Sequence, residues 1–199
     1  PVLLEPKLDT FNLNPDLIAS KITSKTKAIF VVHLYGQLAD MEKIDSIAKQ
    51  HNLLIIQDAA QAHGAHRSSP KSNESSPFFN HPSAYSFYPS KNLGCLGDGG
   101  AVLTNEEDLN KVIRALRNYG SAKKYVNDYL GINSRLDEIQ AAFLKVKLPN
   151  LANDNQKRRQ IANRYLAEIK NDKIVLPFYD GSTNHVFHLF VIRTEKRTE

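Results

Sequence analysis

The chain of 199 residues contains one cysteine, Cys95, and no long uninterrupted run of apolar residues. A single thiol excludes an internal disulfide, and this is typical of proteins from a reducing compartment. A transmembrane helix needs about 20 consecutive apolar residues, so none is expected. The N-terminal residues 1–6 also lack the charged and apolar regions of a signal peptide. These absences predict a cytoplasmic protein that has no membrane partner.

The sequence also lacks a basic surface of the kind that binds nucleic acid. Its net charge of +5 suggests an anionic partner, but the basic residues are scattered along the chain. The one dense cluster, Lys157-Arg158-Arg159, falls on a predicted helix, and aromatic residues do not interleave with it. We therefore expect a solvated helix face at this cluster and no nucleic-acid partner. No metal site is predicted.

Two short apolar runs with a helical segment between them predict a parallel sheet. Residues 28–32 and 53–56 are rich in Ile, Leu and Val, as buried strands are. Between them, Asp40 can cap a helix that extends to residue 51. Strand–helix–strand order makes the two strands parallel, and such sheets bind ligands beyond the carboxyl ends of their strands. The second strand leads to Asp58, which is therefore a candidate site residue.

The later elements follow from apolar periodicity and from turn residues. A loop rich in Ser, Pro and Asn over residues 66–82 precedes a third strand over 84–87, and Lys91 comes after that strand. A glycine-rich turn over 94–100 leads into a fourth strand over 101–104. Beyond it we expect a helix capped by Thr104 and Glu107, and then a helix capped by Ser134. These are followed by a long helix over about 153–170 that buries Ile161, Tyr165, Leu166 and Ile169, and by a strand over 187–192.

Asp58 and Lys91 each end a strand of one predicted sheet, and together they suggest a cofactor. A lysine amine can form an imine with an aldehyde, and a carboxylate can pair with a protonated heterocycle. Pyridoxal phosphate (PLP) requires both partners. The structural alternative is that Asp58 caps a helix and that Lys91 is a solvated turn residue. Spacing alone leaves both interpretations open.

The residues around this pair resemble those of a known enzyme family. Five segments, in the same order along the chain, are similar to the DegT/DnrJ/StrS family of sugar aminotransferases, which have the aspartate aminotransferase (type I) PLP fold. So many collinear matches do not arise by chance. The segments are residues 33–37 (HLYGQ), 57–65 (QDAAQAHGA), 86–100 (SFYPSKNLGCLGDGG), 117–120 (RNYG) and 133–142 (NSRLDEIQAA).

This resemblance implies roles for five residues in cofactor binding. Lys91 would carry PLP through an imine and act as the catalytic residue, and Asp58 would pair with the protonated ring nitrogen. Gln61 would contact the ring face or its phenolic oxygen, the Ser86 hydroxyl would hold the phosphate, and Asn133 would reach the phosphate of the neighbouring subunit's cofactor. Gln61 and Ser86 could instead bond local backbone, and Asn133 could help to cap the following helix.

Two further residues match positions that lie near the hexose in similar enzymes. They are Tyr88, three residues before Lys91, and His188. Core packing is an equal alternative for Tyr88, and His188 could simply end a strand. His63 is expected to be a structural histidine with satisfied hydrogen bonds, and we leave it out of the catalytic set.

The resemblance also implies the fold class and the domain organisation. The fold would be α/β, a three-layer sandwich with a mainly parallel central sheet, as in the large domain of type I PLP transferases. Residues 1–150 would form part of this PLP-binding large domain. Residues 151–199 would form a linker helix and the truncated start of a smaller C-terminal α+β domain.

The implied function is a PLP-dependent transfer of an amino group, from glutamate, to a nucleotide-linked keto-deoxysugar for the biosynthesis of amino sugars or cell-surface polysaccharides. A homodimer with shared active sites would follow. One alternative is a PLP-dependent sugar dehydratase, although those relatives carry histidine where this chain has Lys91. A second alternative is a PLP-binding regulatory protein or an inactive paralogue.

The resemblance does not extend to the whole family pattern. The chain lacks the N-terminal region in which the family has a Gly-Thr phosphate-binding turn and an aromatic residue that stacks on the cofactor ring. We therefore expect the polypeptide of 199 residues alone to bind PLP poorly and to be inactive.

Overall fold

A four-stranded sheet with the order β1-β2-β3-β4 forms the centre of the computed structural model, which describes residues 1–66, 81–123 and 125–198. The strands are β1 (Ala28–Val32), β2 (Leu54–Asp58), β3 (Ser83–Ser86) and β4 (Gly100–Leu103). β1, β2 and β3 are parallel, whereas β4 runs antiparallel to β3. The mainly parallel α/β sheet predicted from the sequence is therefore confirmed. Most of the predicted loop over 66–82 lies outside the described residues.

Helix α1 (Met41–Gln50) covers one face of this sheet. The Asp40 carboxylate accepts a hydrogen bond from the N–H of Lys43, which makes it the predicted N-cap. Met41, Ile44 and Ala48 of α1 pack against Ile29, Val31 and Ile55 of the sheet in one buried cluster. Full burial of a side chain such as Ile44 contributes about 1.5–3 kcal/mol.

The opposite face of the sheet carries apolar side chains that stay exposed within the described residues. Because side chains alternate along a strand, Phe30, Leu54 and Ile56 point away from α1. Phe30 is 60% exposed and Leu54 is 69% exposed. Asp58 lies on the same face, two residues beyond Ile56.

The remaining α-helices of the described residues are α2 (Glu107–Leu116), α3 (Glu138–Lys147) and α4 (Leu151–Glu168). A small hairpin of β5 (Ser121–Lys123) and β6 (Val126–Asn127) follows α2. The N-caps predicted for α2 and α3, Thr104 and Ser134, are wrong. The Thr104 hydroxyl accepts the N–H of Glu106 in a local turn, and Glu106 itself is the N-cap residue of α2. α3 begins at Glu138, after Asp137, and not at Ser134.

The buried side of helix α4 agrees only in part with the expected one, since Leu166 and Ile169 are half-buried. Its buried residues are Asn155 and Ala162, whereas Ile161 and Tyr165 are exposed. A polar side chain, Asn155, therefore takes the most enclosed position of this helix. None of the described helices is long and apolar enough to span a membrane.

The predicted strand over residues 187–192 is absent from the described part of the chain. Among the described residues, the C-terminal segment forms isolated bridges: His185 pairs with Gln37, and Val175 pairs with Arg193 within the segment itself. Phe187 has a φ of 45°, which is incompatible with an extended strand at that residue. The division of the chain at residue 150 stays a prediction.

Candidate active site

Asp58 is the last residue of β2 and lies between Val32 of β1 and Ala84 of β3. Its Oδ1 accepts the backbone N–H of Ala60 at 2.9 Å. A turn, and not a helix, follows Asp58, so helix capping does not explain this carboxylate. Its Oδ2 makes no hydrogen bond to the described residues and can accept one from a ligand.

Lys91 follows β3 in a turn that its own backbone closes. The N–H of Lys91 donates to the carbonyl of Tyr88 at 2.9 Å. The side chain is half-buried, and its Nζ forms neither a hydrogen bond nor an ion pair in the ranges that the structure covers. This amine is therefore available for chemistry.

Burial and the positive charge of Lys91 lower the pKa values of two histidines, His63 and His188. Burial lowers the pKa of His63 to about 4, and the charge of Lys91 lowers it further. Burial and then the charges of Lys91 and Arg158 lower the pKa of His188. Lys91 and both histidines therefore share one region, in which the histidines are neutral near pH 7.

His63 does not fit the expectation of a satisfied structural histidine. It is buried, with only 3% of its surface exposed. Neither ring nitrogen reaches a partner at hydrogen-bonding distance among the described residues. Its ring instead packs edge-on against Tyr85, with the ring centroids 5.3 Å apart.

Gln61 is held by the backbone of a neighbouring segment. Its Oε1 accepts the N–H of Tyr35 at 2.6 Å. Tyr35 lies in the short 3-10 helix Leu34–Gly36 with a φ of 58°, a left-handed conformation that is uncommon for a residue with a side chain. Gln61 therefore bonds to backbone, but to that of a segment 26 residues away and not to local backbone, and this bond uses only the oxygen of the amide. The Nε2 group has no partner among the described residues and can donate.

Ser86 and Tyr88 lie close together at the end of β3. The Ser86 Oγ accepts the N–H of Tyr88 at 3.2 Å, so the serine also makes its expected local bond while its O–H stays free to donate. Tyr88 is 52% exposed, which excludes the core-packing alternative for this residue.

The hydrogen bonds of Asn133 go to partners other than these residues. Its Oδ1 accepts from Nε of Arg135 at 2.9 Å, and its backbone bridges to Asn118. α3 begins five residues later, so Asn133 does not cap it. Within the covered ranges, the hydrogen bonds of Asn133 do not reach β2 or β3.

A chain of amides that the sequence analysis missed holds His188 next to Lys91. The ring Nδ1 of His188 lies 3.1 Å from Oδ1 of Asn92, the residue after Lys91. Nδ2 of Asn92 donates to Oδ1 of Asn155 at 2.8 Å and to the carbonyl of Val186 at 3.1 Å. Nδ2 of Asn155 donates to the His63 carbonyl at 2.8 Å. An asparagine in a turn and another on a polar helix carry no sequence signal of this role.

A second missed network lies behind Asp58. His33 and Gln57 are buried, with Nε2 of His33 2.9 Å from Oε1 of Gln57. Nε2 of Gln57 donates to the Ser83 hydroxyl at 3.0 Å. This network joins the ends of β1 and β2 to the start of β3, and it fixes the strands that present Asp58.

Comparison with known proteins agrees with the resemblance found in the sequence. The model of the DegT/DnrJ/EryC1/StrS aminotransferase family matches residues 1–199. A dTDP-3-amino-3,6-dideoxy-alpha-D-galactopyranose transaminase from Aneurinibacillus thermoaerophilus is 53% identical over 99% of this chain and 53% of its own length. A protein from Geobacillus stearothermophilus that is named a pleiotropic regulatory protein is 46% identical over 100% of this chain and 53% of its own length.

A solved structure extends the likeness to the fold. Streptomyces venezuelae DesV, in complex with a ketimine intermediate, superimposes with a TM-score of 0.89 at 45% identity, over 99% of this chain and 52% of DesV. The chain therefore spans about half the length of the relatives that it matches.

Proposed function

The chain belongs to the DegT/DnrJ/EryC1/StrS aminotransferase family, and on this premise we propose that the whole protein is a PLP-dependent sugar aminotransferase. It transfers an amino group from glutamate to a nucleotide-linked keto-deoxysugar. The proposal rests on a set of polar groups at or just beyond the carboxyl ends of two adjacent parallel strands, β2 and β3. These groups have no partner among the described residues, and they belong to Asp58, Gln61, Ser86 and Lys91.

These groups fit PLP in their donor and acceptor character. Oδ2 of Asp58 can accept from the protonated ring nitrogen, Nε2 of Gln61 can donate to the ring oxygen, and the Ser86 hydroxyl can donate to the phosphate. Lys91 supplies the amine that holds the cofactor aldehyde carbon. When bound, PLP withdraws electrons and makes the carbon that bears the substrate nitrogen acidic.

Lys91 has a second task once a substrate amine has displaced it. Its free Nζ would take the proton from the substrate α-carbon as a base and then give it up again as an acid. The neutral histidines beside it, His63 and His188, add no positive charge to this region at neutral pH. The same proton movement in reverse completes amino transfer to the sugar ketone.

The substrate class rests on the named relatives. The Aneurinibacillus relative is a transaminase whose named product is a dTDP-linked 3-amino-dideoxy sugar, so we infer a dTDP-linked sugar with the ketone at C3. The net charge of +5 suits a substrate that carries a diphosphate. Tyr88 and His188 would contact the sugar. The single buried cysteine is consistent with a cytoplasmic location.

A homodimer accounts for an apolar surface near Asn133. Ile139, Phe143 and Val146 on the outer side of α3 are exposed, and so are Leu130 and Ile132 just before Asn133. Exposed apolar patches on a protein mark sites of protein–protein interaction. A second copy that covers this surface would bring Asn133 to the neighbouring active site, which is the role that the sequence analysis gave it.

The test is an assay of the whole protein with glutamate and a panel of dTDP- and UDP-linked keto-sugars. We expect one or more to be converted to amino sugars, and Lys91→Ala to reduce the rate about a thousandfold or more. Normal transamination by Lys91→Ala would exclude the mechanism.

A regulatory function is the second candidate, because the Geobacillus relative carries a regulatory name. A regulator would bind PLP and show no turnover with glutamate and any keto-sugar of the panel. A dehydratase would instead release a product without the transferred nitrogen, which mass spectrometry of the sugar product separates from transamination.

A further inference from the structure

His188 is the one predicted sugar-contacting residue whose ring is fixed by the protein, and its proton can be located from its neighbours. A histidine ring carries its proton on Nδ1 or on Nε2, and the hydrogen bond made by one nitrogen decides which. Here Nδ1 faces Oδ1 of Asn92 at 3.1 Å. The orientation of the Asn92 amide therefore settles the tautomer of His188.

Backbone carbonyls fix that orientation, because a carbonyl can only accept. The Val186 carbonyl lies 3.1 Å from the Asn92 side chain, so the group that faces it must be the NH₂. In the same way, the His63 carbonyl requires the NH₂ of Asn155 on its side, at 2.8 Å. The Asn155 oxygen then faces Asn92 and receives its second hydrogen at 2.8 Å.

Both amides are thus oriented by independent acceptors, and the two assignments agree. Both hydrogens of the Asn92 NH₂ are used, and its Oδ1 is the atom left for His188. An amide oxygen cannot donate, so Nδ1 of His188 must carry the proton. Nε2 is then the nitrogen with the lone pair.

The free nitrogen of His188 is open to a ligand. The residue is half-buried, its Nε2 has no partner among the described residues, and this atom is not among the enclosed unpaired groups. Burial together with the charges of Lys91 and Arg158 lowers the pKa of His188, so the ring stays neutral near pH 7. A neutral Nε2 with a lone pair accepts a hydrogen bond from a hydroxyl but cannot pair with a ketone oxygen.

We propose that Asn92 and Asn155 are positioning residues that hold His188 in the Nδ1–H tautomer, so that its Nε2 accepts a hydrogen bond from a hydroxyl of the keto-sugar. The proposal rests on the proposed function. It gives the site a means of orienting the sugar, since the ketone must face away from His188. Helix α4 takes part in sugar recognition through Asn155, although that residue lies behind Asn92.

The tautomer is measured first, because this experiment does not depend on activity. The whole protein, purified with PLP, is labelled with ¹⁵N-histidine, and the His188 ring signals are identified by their loss in His188→Gln. We expect a protonated Nδ1 and an unprotonated Nε2. Asn92→Leu and Asn155→Leu should shift the population towards the Nε2–H form. Asn153→Leu, on the exposed side of the same helix, is the control and should leave the tautomer unchanged.

The substrate role is measured by steady-state kinetics with the accepted keto-sugar. His188→Gln keeps a hydrogen-bonding amide near the Nε2 position, whereas His188→Asn keeps one only near Nδ1. We expect KM for the keto-sugar to rise about tenfold more in His188→Asn than in His188→Gln.

Three results overturn the proposal: an Nε2–H tautomer in the unmodified protein, an unchanged tautomer in Asn92→Leu, or equal KM values for the two His188 variants. Absence of any keto-sugar turnover in the unmodified protein overturns the proposed function, and with it the substrate part of this inference. The NMR measurement still decides the role of Asn92 and Asn155 in that case, even if one variant fails to fold, because the unmodified protein is itself a test.

Discussion

His33 donates from Nε2 to Oε1 of Gln57 at 2.9 Å, directly behind the strand end that presents Asp58. The direction follows from the other ring nitrogen, because Nδ1 of His33 accepts the N–H of Ala39 at 3.1 Å. Both ring nitrogens are thus used only while the ring is neutral. Protonation of His33 would place a charge in the core and break the bond to Ala39.

Acid should therefore destabilise the fold through its buried histidines. Burial lowers the pKa values of His33, His63 and His185 to about 4 from 6.5. Between these values the unfolded chain binds more protons than the folded chain, so the free energy of unfolding is highest above pH 6.5 and falls as the pH drops towards 4. Each histidine accounts for about 3 kcal/mol at most.

Urea unfolding of the protein between pH 4 and pH 8 checks this, with His33→Asn as the variant. The variant should be less stable at pH 8, because it loses the bond to Gln57, and its stability should fall less steeply with acid. An identical acid slope in the variant would show that His33 does not titrate in the predicted window.

The sheet and the site pair could be predicted from the sequence for a physical reason. Buried parallel strands need short, uninterrupted apolar runs, and the runs that become β1 and β2 stand out from polar flanks. Asp58 is the last residue of such a strand, β2, and Lys91 follows the end of β3 by five residues. Their positions therefore follow from local patterns.

Contacts that depend on distant residues could not be predicted in this way. Asn155 bonds to Asn92, which is 63 residues away along the chain, and to His63, which is 92 residues away. Helical periodicity counts apolar side chains, so it assigned the buried side of α4 to Ile161 and Tyr165. The tertiary hydrogen bonds of Asn155 decide that side instead.

Gly64 should tolerate replacement by alanine poorly, because Asn155 lies against it. It has a φ of 77°, and a Cβ there would lie 2.7 Å from Nδ2 of Asn155. Gly64→Ala therefore combines backbone strain of about 1–2 kcal/mol with displacement of Asn155. Gly181 has a φ of 83° with nothing within 4 Å of its Cβ position, so Gly181→Ala measures the strain alone. We expect the thermal midpoint to fall clearly further for Gly64→Ala, and equal losses in the two variants would contradict the steric argument.

Gln61→Glu separates the two functions of the Gln61 amide. The variant keeps an oxygen for the Tyr35 N–H, so the stability should change little, but it replaces the free NH₂ with a charged oxygen. We expect the affinity of the whole protein for PLP to fall about tenfold or more, measured by absorbance titration. Gln140→Glu is a matched control, since Oε1 of Gln140 also accepts a backbone N–H, that of Leu96 at 2.8 Å. Unchanged PLP affinity in Gln61→Glu would remove Gln61 from the cofactor site.

A charge on the outer side of α3 should break the proposed dimer. Phe143→Asp places a carboxylate within the exposed apolar surface of Ile139, Phe143 and Val146, and burying an unpaired charge in an interface costs several kcal/mol. Sedimentation equilibrium of the whole protein should show monomers for this variant. Gln160→Asp, at an exposed position of α4, should leave dimers intact. Dimers of undiminished stability in Phe143→Asp would place the interface elsewhere.

The polypeptide of 199 residues, expressed by itself, should bind PLP weakly and catalyse no transamination. Asp58 shares the sheet face on which Phe30 and Leu54 are largely exposed. Water on this face weakens the attraction between the Asp58 carboxylate and a protonated ring, because charge pairs are stronger in a low-dielectric environment. Side-by-side absorbance titrations of this polypeptide and the whole protein should show an affinity lower by about tenfold or more, and the apolar face should bind the dye ANS. Equal affinity with full turnover would show instead that residues 1–199 contain a complete active site.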